Sequence, residues 1–198
     1  MKATKRRNIL AAAEKLFERF GPAKTGVDEI AAAAGVAKGT LYNYFGSKEG
    51  IVRELITDKI GLFEKALKAG LDDISDPLEK LKSAAVERFR FLHRSPYIAA
   101  IILHREGDAT SRELASSFES RQRGIVARIM DEARRRGAIR RSDSAGITDG
   151  IIYLLKGLEL SLKDRLDSAR IEDIEAEITR LITLFFSGAG KAAGKRNL

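Results

Sequence analysis

The residues of this sequence that are best suited to recognising another molecule lie between positions 38 and 43. Leu41 and Phe45 are four residues apart, so on a helix they point to one side, which we expect to be buried. The outward side then combines a cation, hydroxyls, an amide and a glycine, namely Lys38, Gly39, Thr40, Tyr42 and Asn43. This mixture is unusual for a solvated helix and suits contact with the bases and phosphates of a nucleic acid.

A second helix and a tight turn come directly before this row. Thr25 is a candidate N-cap, and Asp28 three residues later can complete a capping box at the positive end of the helix dipole. Gly35 supplies the left-handed conformation that a turn after this helix requires. The side chains that share one helix face are small or apolar and allow close packing: Ile30, Ala31 and Ala34. The sequence therefore predicts a helix-turn-helix motif over residues 25–48.

The segment TGVDEIAAAAGVAKGTLYNYFGSK, residues 25–48, resembles the DNA-binding domain of the TetR family of bacterial transcriptional repressors. The resemblance covers residues 4–56, and beyond them only the chain length and the helical pattern agree with the family. One position departs from the family pattern. Ala37 stands where Ser is common, so the second helix of the motif lacks a side-chain cap worth about 1 kcal/mol.

The resemblance also implies which residues contact DNA. Four residues are expected to hold phosphates: Thr25, Tyr42, Tyr44 and Lys48. Four others are expected to face base edges in the major groove: Lys38, Gly39, Thr40 and Asn43. Gly39 would let the backbone come close to the duplex.

The composition agrees with an anionic partner. The 198 residues contain 36 Lys and Arg against 28 Asp and Glu, a net charge of +8. Lys2, Lys5, Arg6 and Arg7 open the chain with no acid among them, so we expect a basic arm that meets phosphates beside the motif. The sequence has no Cys, no long apolar run and no signal peptide, which predicts a cytoplasmic protein with no membrane association.

The remaining pattern predicts an all-α chain, in which an N-terminal three-helix DNA-binding domain is joined to a larger helical domain for ligand binding and dimerisation. We place the first domain at residues 1–47, the second at residues 48–187 and a disordered tail at residues 188–198. Helices are predicted over residues 4–20, 47–70, 77–94, 97–105, 111–136, 144–163 and 171–186. The helix over residues 47–70 is too long for the small domain alone and is expected to connect the two.

The last two predicted helices are apolar on more than one face. Such a helix is buried on nearly all sides, either at a subunit interface or at the centre of one subunit, and the pattern does not separate these alternatives. The resemblance favours a homodimer, because TetR-like proteins usually pair through their last two helices as a four-helix bundle. The expected interface residues are Ile151, Leu155, Leu158, Leu162, Ile178, Leu181 and Phe185.

The middle helices carry aromatic side chains with a few polar tips. The resemblance implies an effector pocket in this body, for a small hydrophobic or amphipathic molecule. Candidate lining residues are Phe63, Phe89, Tyr97, His104, Phe118 and Gln122. The competing interpretation is that each of them belongs to an ordinary core.

Catalytic patterns were not found in the sequence. The two His, His93 and His104, lie outside any H-E-x-x-H pattern, and no phosphate loop, nucleophile elbow or Cys nucleophile is present. We therefore predict that the protein is not an enzyme and uses no metal or cofactor. The favoured interpretation is a regulator of transcription that binds double-stranded DNA. Repression at a pseudo-palindromic operator, dimerisation and release by an effector follow from the resemblance. The alternative is a helical interaction protein whose body binds a protein partner.

Overall fold

The computed structural model describes residues 2–103, 108–139, 144–162 and 170–191. In these ranges the chain forms nine helices and no strand, which confirms the predicted all-α class. The helices are α1 (Lys2–Phe20), α2 (Val27–Ala33), α3 (Lys38–Phe45), α4 (Lys48–Asp72), α5 (Pro77–Arg94), α6 (Pro96–Leu103), α7 (Ala109–Arg135), α8 (Ser144–Leu162) and α9 (Ile171–Lys191).

The chain packs as two units. Unit 1 comprises Met1–Phe63 with Ser95–Ser116, and unit 2 comprises Glu64–Arg94 with Ser117–Leu198. This division differs from the predicted boundary after residue 47, because the first part of α4 and all of α6 belong to unit 1 with the motif. Both α4 and α7 continue from one unit into the other.

Unit 1 is built around α1. Ile9, Ala13 and Phe17 recur every four residues on this helix and are at most 1% exposed, so they form one buried stripe. Helix α1 packs against α2 and α6, and α2 packs against α3. The ring of Phe17 lies 6.2 Å from that of Tyr97 on α6, in a tilted arrangement.

Unit 2 is organised by the packing of α5 and α8 against α9. The most deeply buried side chains on these helices are apolar: Leu81, Ile151, Ile174, Ile178 and Ile182. A polar contact also joins two of these helices. Arg90 on α5 donates to both carboxylate oxygens of Glu175 on α9, at 2.5 and 2.6 Å.

Helix ends follow the local sequence in most places. Gly21 and Gly137 have positive φ angles of 75° and 72° directly after α1 and after the end of α7, as the predicted stops require. Asp76 caps α5, because its Oδ1 accepts a hydrogen bond of 2.8 Å from the backbone N–H of Leu78.

Helix α9 continues through Gly188 to Lys191, four residues into the predicted tail. The disorder expected of the tail stays a prediction. Residues 192–198 lie outside the described residues.

Candidate nucleic-acid interface

The N-cap of α2, the first helix of the motif, lies one residue later than the predicted cap at Thr25. Gly26 is the N-cap of α2, and its backbone N–H donates to Oε2 of Glu29 at 2.6 Å. The prediction that Thr25 caps this helix with Asp28 was therefore wrong. Thr25 is 2% exposed, and its hydroxyl donates to the carbonyl oxygen of Gly21 at 2.8 Å. A hydroxyl has one proton to donate, so this side chain holds the loop after α1 and has no donor left for a phosphate.

The turn between α2 and α3 has the predicted chemistry. Gly35 adopts a φ of 65°, which is the left-handed region that glycine tolerates. The backbone N–H of Val36 donates to the carbonyl of Ala31 at 3.0 Å and closes the end of α2. The N-cap of α3 is Ala37, which makes no side-chain hydrogen bond, as its residue type predicts.

Helix α3 presents the predicted row of polar residues to solvent. Leu41 is fully buried and fixes which side of the helix faces the core. Four of the row are exposed and Thr40 is half-buried, the exposed ones being Lys38, Gly39, Tyr42 and Asn43. Phe45 was expected in the core but is only half-buried, and the guanidinium of Arg6 lies 5.8 Å above its ring.

The Lys38 ammonium is held in place by the first helix of the motif. Its Nζ donates to Oδ2 of Asp28 at 2.9 Å, and both side chains stay solvent-accessible, at 50% and 75% exposure. The hydrogen bond to the Asp28 carboxylate, with its charge, raises the pKa of Lys38 above the ordinary 10.5. Asp28 was predicted only as a helix cap, and its ion pair with Lys38 was missed. The opposite charges ten residues apart were the available signal.

Lys48 has a different environment from the other candidate phosphate contacts. Its Nζ donates to the carbonyl oxygens of Pro22 and Thr25, at 3.0 and 3.2 Å. An ammonium has three donors, so one is left for a phosphate after these two bonds. Tyr42 is 43% exposed, and Tyr44 is half-buried with its ring 6.2 Å from that of Phe45.

The predicted basic arm is helical. Helix α1 starts at Lys2, and Arg6 forms an ion pair with Glu54 of α4 at 2.5 Å. Lys5 and Arg7 are exposed on the same helix. The cations at this end of the chain are therefore presented by a folded element.

The effector candidates divide between the two units. Phe63 and Tyr97 belong to unit 1, whereas Phe89, Phe118 and Gln122 belong to unit 2. His104 lies outside the described residues. Two of the polar atoms among these candidates are buried with no hydrogen-bond partner among the described residues, the Tyr97 hydroxyl and the Gln122 Nε2. Burial raises the pKa of Tyr97 well above its ordinary value, with the charges of Glu14 and Glu18 adding to the effect.

The dimer candidates differ in how much surface they expose. Ile151, Leu155 and Ile178 are at most 6% exposed within the single chain, so they have almost no surface to offer a second copy. The half-buried ones are Leu158, Leu181 and Phe185. Leu162 ends α8, but its side chain lies outside the described part of the chain. Three large apolar side chains on these helices were left out of the prediction and are exposed: Tyr153 at 67%, Leu160 at 66% and Leu184 at 63%.

Two further observations concern the described residues as a whole. None of their helices is both long enough and apolar enough to cross a membrane. No group of three His, Cys, Asp or Glu side chains among them has the arrangement of a metal site.

Known proteins match the chain at two levels. The family model "Bacterial regulatory proteins, tetR family" matches residues 9–55. The HTH-type transcriptional regulator Rv1255c of Mycobacterium tuberculosis is 34% identical over 92 residues, which is 46% of each chain, so the match spans about half of that relative's length. The HTH-type transcriptional repressor KstR2 of Mycolicibacterium smegmatis is 29% identical over 141 residues, 70% of this chain and 69% of the relative.

A solved structure extends the likeness to the fold. The crystal structure of the transcriptional regulator FadR from Bacillus subtilis, in complex with stearoyl-CoA, matches with a TM-score of 0.75. The sequences are 22% identical, and the match covers 89% of this chain and 96% of the other. The family match includes α2, α3 and the start of α4, where the exposed polar row lies, and the chain belongs to the TetR family of bacterial transcriptional regulators.

Proposed function

We propose that the protein is a homodimeric repressor that binds a pseudo-palindromic operator through α3 and releases it when a small molecule binds the helical body. The observation that carries the proposal is the exposed polar row of α3, which is held outward by the buried Leu41 at 0% exposure. A solvated helix has no need of a row that combines Lys38, Tyr42 and Asn43, whereas the major groove offers acceptors and donors for each of them.

We assign the roles of the motif residues from the resemblance and from their surroundings. Lys38, Gly39, Thr40 and Asn43 are proposed to read base edges, as the resemblance implies. Tyr42 and Tyr44 hold phosphates with their hydroxyls, and Lys48 has one donor left for a phosphate. Thr25 supports the interface from inside, because its hydroxyl is used by Gly21.

The DNA proposal is tested by binding titrations on selected palindromic duplexes and on random duplexes, at several salt concentrations. Asn43→Ala should relax the preference at particular base pairs, by about 1–3 kcal/mol in discrimination. Tyr42→Phe removes one hydroxyl and should weaken specific and random duplexes alike. Wild-type protein that prefers no palindromic duplex would refute operator binding.

Lys48 requires a second measurement. Lys48→Ala should weaken all sequences and lower the salt dependence by about one unit if its third donor contacts a phosphate. The substitution also removes the two bonds to the loop carbonyls of Pro22 and Thr25. Thermal unfolding of the variant must therefore accompany the titration, so that loss of the loop is distinguished from loss of a contact.

The proposed dimer uses the exposed apolar surface of α8 and α9, which we define as Tyr153, Leu160 and Leu184. Tyr153 and Leu160 are seven residues apart and so share one helix face. Leu181 and Phe185 on α9 are half-buried, and we propose that they also contact the second copy. Two copies joined by a two-fold axis present two recognition helices, which accounts for the palindromic operator.

The dimer is tested by light scattering after size exclusion. Leu184→Glu should shift the mass toward that of one chain, because a charge buried without a partner costs several kcal/mol. Leu62→Glu is the matched control, since Leu62 is 65% exposed on α4 in the other unit. A wild-type mass of one chain at all concentrations would exclude the proposed dimer.

The proposed effector is a small hydrophobic or amphipathic molecule. Support comes from the unpaired Gln122 Nε2 in unit 2, and from the stearoyl-CoA that the Bacillus subtilis FadR structure contains. A ligand that favours the state unable to bind DNA tenfold shifts the equilibrium by about 1.4 kcal/mol per site. The test is a screen for compounds that raise the melting temperature, followed by operator titrations with those compounds. Hits that leave operator binding unchanged would favour a body that binds a protein partner.

A further inference from the structure

The ion pair of Lys38 and Asp28 lies at the end of α3 that is best placed to meet base edges. Lys38 is the first residue of α3, and in helix-turn-helix proteins the N-terminal residues of the second helix contact the bases. The Lys38 Nζ donates to Oδ2 of Asp28 on α2 at 2.9 Å. The two side chains are 50% and 75% exposed, so a duplex that reaches one of them also reaches the other.

Asp28 is oriented differently from the neighbouring acid. Glu29 turns back to the start of α2, where its Oε2 accepts the backbone N–H of Gly26 at 2.6 Å and caps the helix. Asp28 extends to α3 and meets the ammonium of Lys38. An exposed pair of this kind adds little to stability, and an anion beside DNA repels the phosphates. The position of Asp28 therefore calls for a benefit that arises in the complex with DNA.

Both partners keep further hydrogen-bonding capacity. An ammonium has three donors, and the bond to Asp28 uses one of them. A carboxylate has about four acceptor sites on its two oxygens, so Asp28 can accept more than one donor. The pair thus presents a cation with donors to spare and, one hydrogen-bond length away, an anion with acceptors to spare.

The edge of a G·C base pair in the major groove has the complementary arrangement. Guanine offers two acceptors, N7 and O6, and the cytosine paired with it offers the N4 amino group as a donor. O6 and N4 are joined by an N–H···O bond of about 2.9 Å. The Lys38 Nζ and the Asp28 Oδ2 are also 2.9 Å apart. When guanine takes the ammonium, the cytosine amino group therefore lies where it can replace the ammonium as the donor to Asp28.

The other base pairs fit this pair of side chains less well. Adenine offers the ammonium one acceptor, N7, because an amino group stands where guanine has O6. The carboxylate then faces O4 of thymine, which is also an acceptor. An anion that faces an acceptor is repelled, and such a contact excludes the wrong partner. Asp28 therefore favours G·C both by a bond to cytosine and by repulsion from the alternatives.

We propose that Asp28 is a specificity-determining residue of the operator interface, where Lys38 donates to N7 and O6 of a guanine and Asp28 accepts from N4 of the cytosine paired with it. The proposal rests on the proposed function, because it requires α3 to lie in the major groove. It adds to that function the identity of one base pair in each half-site.

The test begins with selection from duplexes that have two randomised half-sites, using the wild type, Asp28→Asn and Glu29→Gln. The bound duplexes are sequenced, and the selected duplex is then titrated together with its single base-pair changes. The wild type should select a G·C pair at one position of each half-site where Asp28→Asn has lost the preference. The preferences at the other positions should be the same in both proteins.

The titrations measure discrimination as a ratio of affinities. Asp28→Asn removes the charge but keeps an oxygen acceptor for cytosine, so its affinity for the selected duplex should stay close to that of the wild type. Duplexes with A·T or T·A at the same position should bind it about fivefold more tightly, so that discrimination falls about fivefold. Glu29→Gln is the matched control, because glutamine also caps a helix from this position and the same charge is removed one residue away. It should shift all duplexes alike and leave the ratio unchanged.

A modified base tests the contact with the wild-type protein. N4-methylcytosine still pairs with guanine but lacks the N–H that faces the groove. Each cytosine of the selected duplex is replaced by it in turn, and at one position of each half-site the replacement should weaken wild-type binding about fivefold. The same replacement should make no difference to Asp28→Ala, which has no acceptor there.

The proposal is overturned if Asp28→Asn keeps the wild-type preference at every position, or if the relaxed position is not a G·C pair. It is also overturned if the wild type binds every methylated duplex as tightly as the plain one. A wild type that still prefers a palindromic duplex in these cases leaves operator binding in place. A wild type that prefers no duplex removes operator binding and the role of Asp28 together.

Discussion

Two ion pairs in this protein join the same kinds of groups but lie in opposite surroundings. Lys38 and Asp28 pair on the surface of unit 1, with 50% and 75% of their side chains exposed. Arg88 and Glu159 pair inside unit 2, with 8% of each exposed. Water can replace either partner of the first pair at little cost, whereas neither partner of the second can be left alone without a large penalty.

The difference agrees with the task that we propose for each region. A residue that reads DNA must give up its contact in the free protein when the duplex arrives, so a weak and exposed partner is suitable. A residue in the body connects helices, and Arg88 does so for α5, α7 and α8 through Glu159 and Phe118. The exposure of an ion pair, and not the type of its charges, therefore indicates whether its partners can separate at little cost.

The largest expected effect is at the buried pair. Glu159→Ala leaves the Arg88 charge buried without its carboxylate and should lower the free energy of unfolding by about 3–5 kcal/mol. Urea denaturation measures the change. Glu119→Ala is the control, because Glu119 on α7 pairs with Lys156 on α8, and these side chains are 31% and 28% exposed. Loss of this pair should cost about 1 kcal/mol or less. Equal costs at the two positions would contradict the comparison.

A buried hydrogen bond near the DNA interface should have an intermediate effect. Thr25→Val keeps the shape of the side chain but removes the donor to Gly21, at a cost of about 1 kcal/mol in unfolding free energy. Thr57→Val on the exposed side of α4 should change stability by less than half as much. If both variants unfold at the same temperature, Thr25 does not hold the loop.

The ion pair of Lys80 and Glu132, which is partly buried, gives a prediction about the pH dependence of stability. The hydrogen bond from Lys80 lowers the pKa of Glu132 below 4.5, and the side chains are 17% and 19% exposed. A carboxyl whose pKa is lowered on folding contributes stability above its unfolded value, and loses that contribution as the pH falls from about 4.5 through the folded value. The free energy of unfolding of Glu132→Gln should therefore fall less steeply than that of the wild type between neutral and acid pH. Parallel pH profiles of the variant and the wild type would be evidence against the pair.

The smallest effect is expected at the exposed pair. Asp28→Asn frees Lys38 and removes a negative charge near the duplex, so it should strengthen DNA binding by up to about fivefold with little change in stability. NMR titration should show the pKa of Lys38 returning toward 10.5. Glu49→Gln removes a charge from the start of α4 but keeps the pair, and it should leave the pKa of Lys38 unchanged. An unchanged pKa in Asp28→Asn would show that the pair does not form in solution.

Local signals in the sequence predicted the helices well. Apolar spacing and the stops at Gly21 and Gly137 placed α1 and α7 to within two residues at each end. The row on α3 was found because Leu41 fixes the buried side of a short helix. These features depend on residues within two turns of one another, which a single sequence displays directly.

Contacts between distant residues could not be predicted in this way. Arg88 and Glu159 are 71 positions apart. Each lies at helical spacing from buried apolar residues, but a single sequence does not show that these two helix faces meet. The cap of α2 was misplaced because Thr25 has a hydroxyl that is able to cap a helix, whereas in the structure this hydroxyl donates to the carbonyl of Gly21. Tyr153 and Leu160 were left out of the predicted interface, because the packing of α9 against α8 determines which side of α8 stays exposed.

The exposed apolar side chains of α8 and α9 have a consequence for how much protein a cell must make. If Tyr153, Leu160 and Leu184 are covered only when two chains associate, folding and pairing are linked by mass action, and the melting temperature rises with protein concentration. Occupancy of a two-fold site then varies with the square of the chain concentration, as long as that concentration is below the dissociation constant of the dimer. A modest change in synthesis would produce a steeper change in bound DNA, before any small molecule is present.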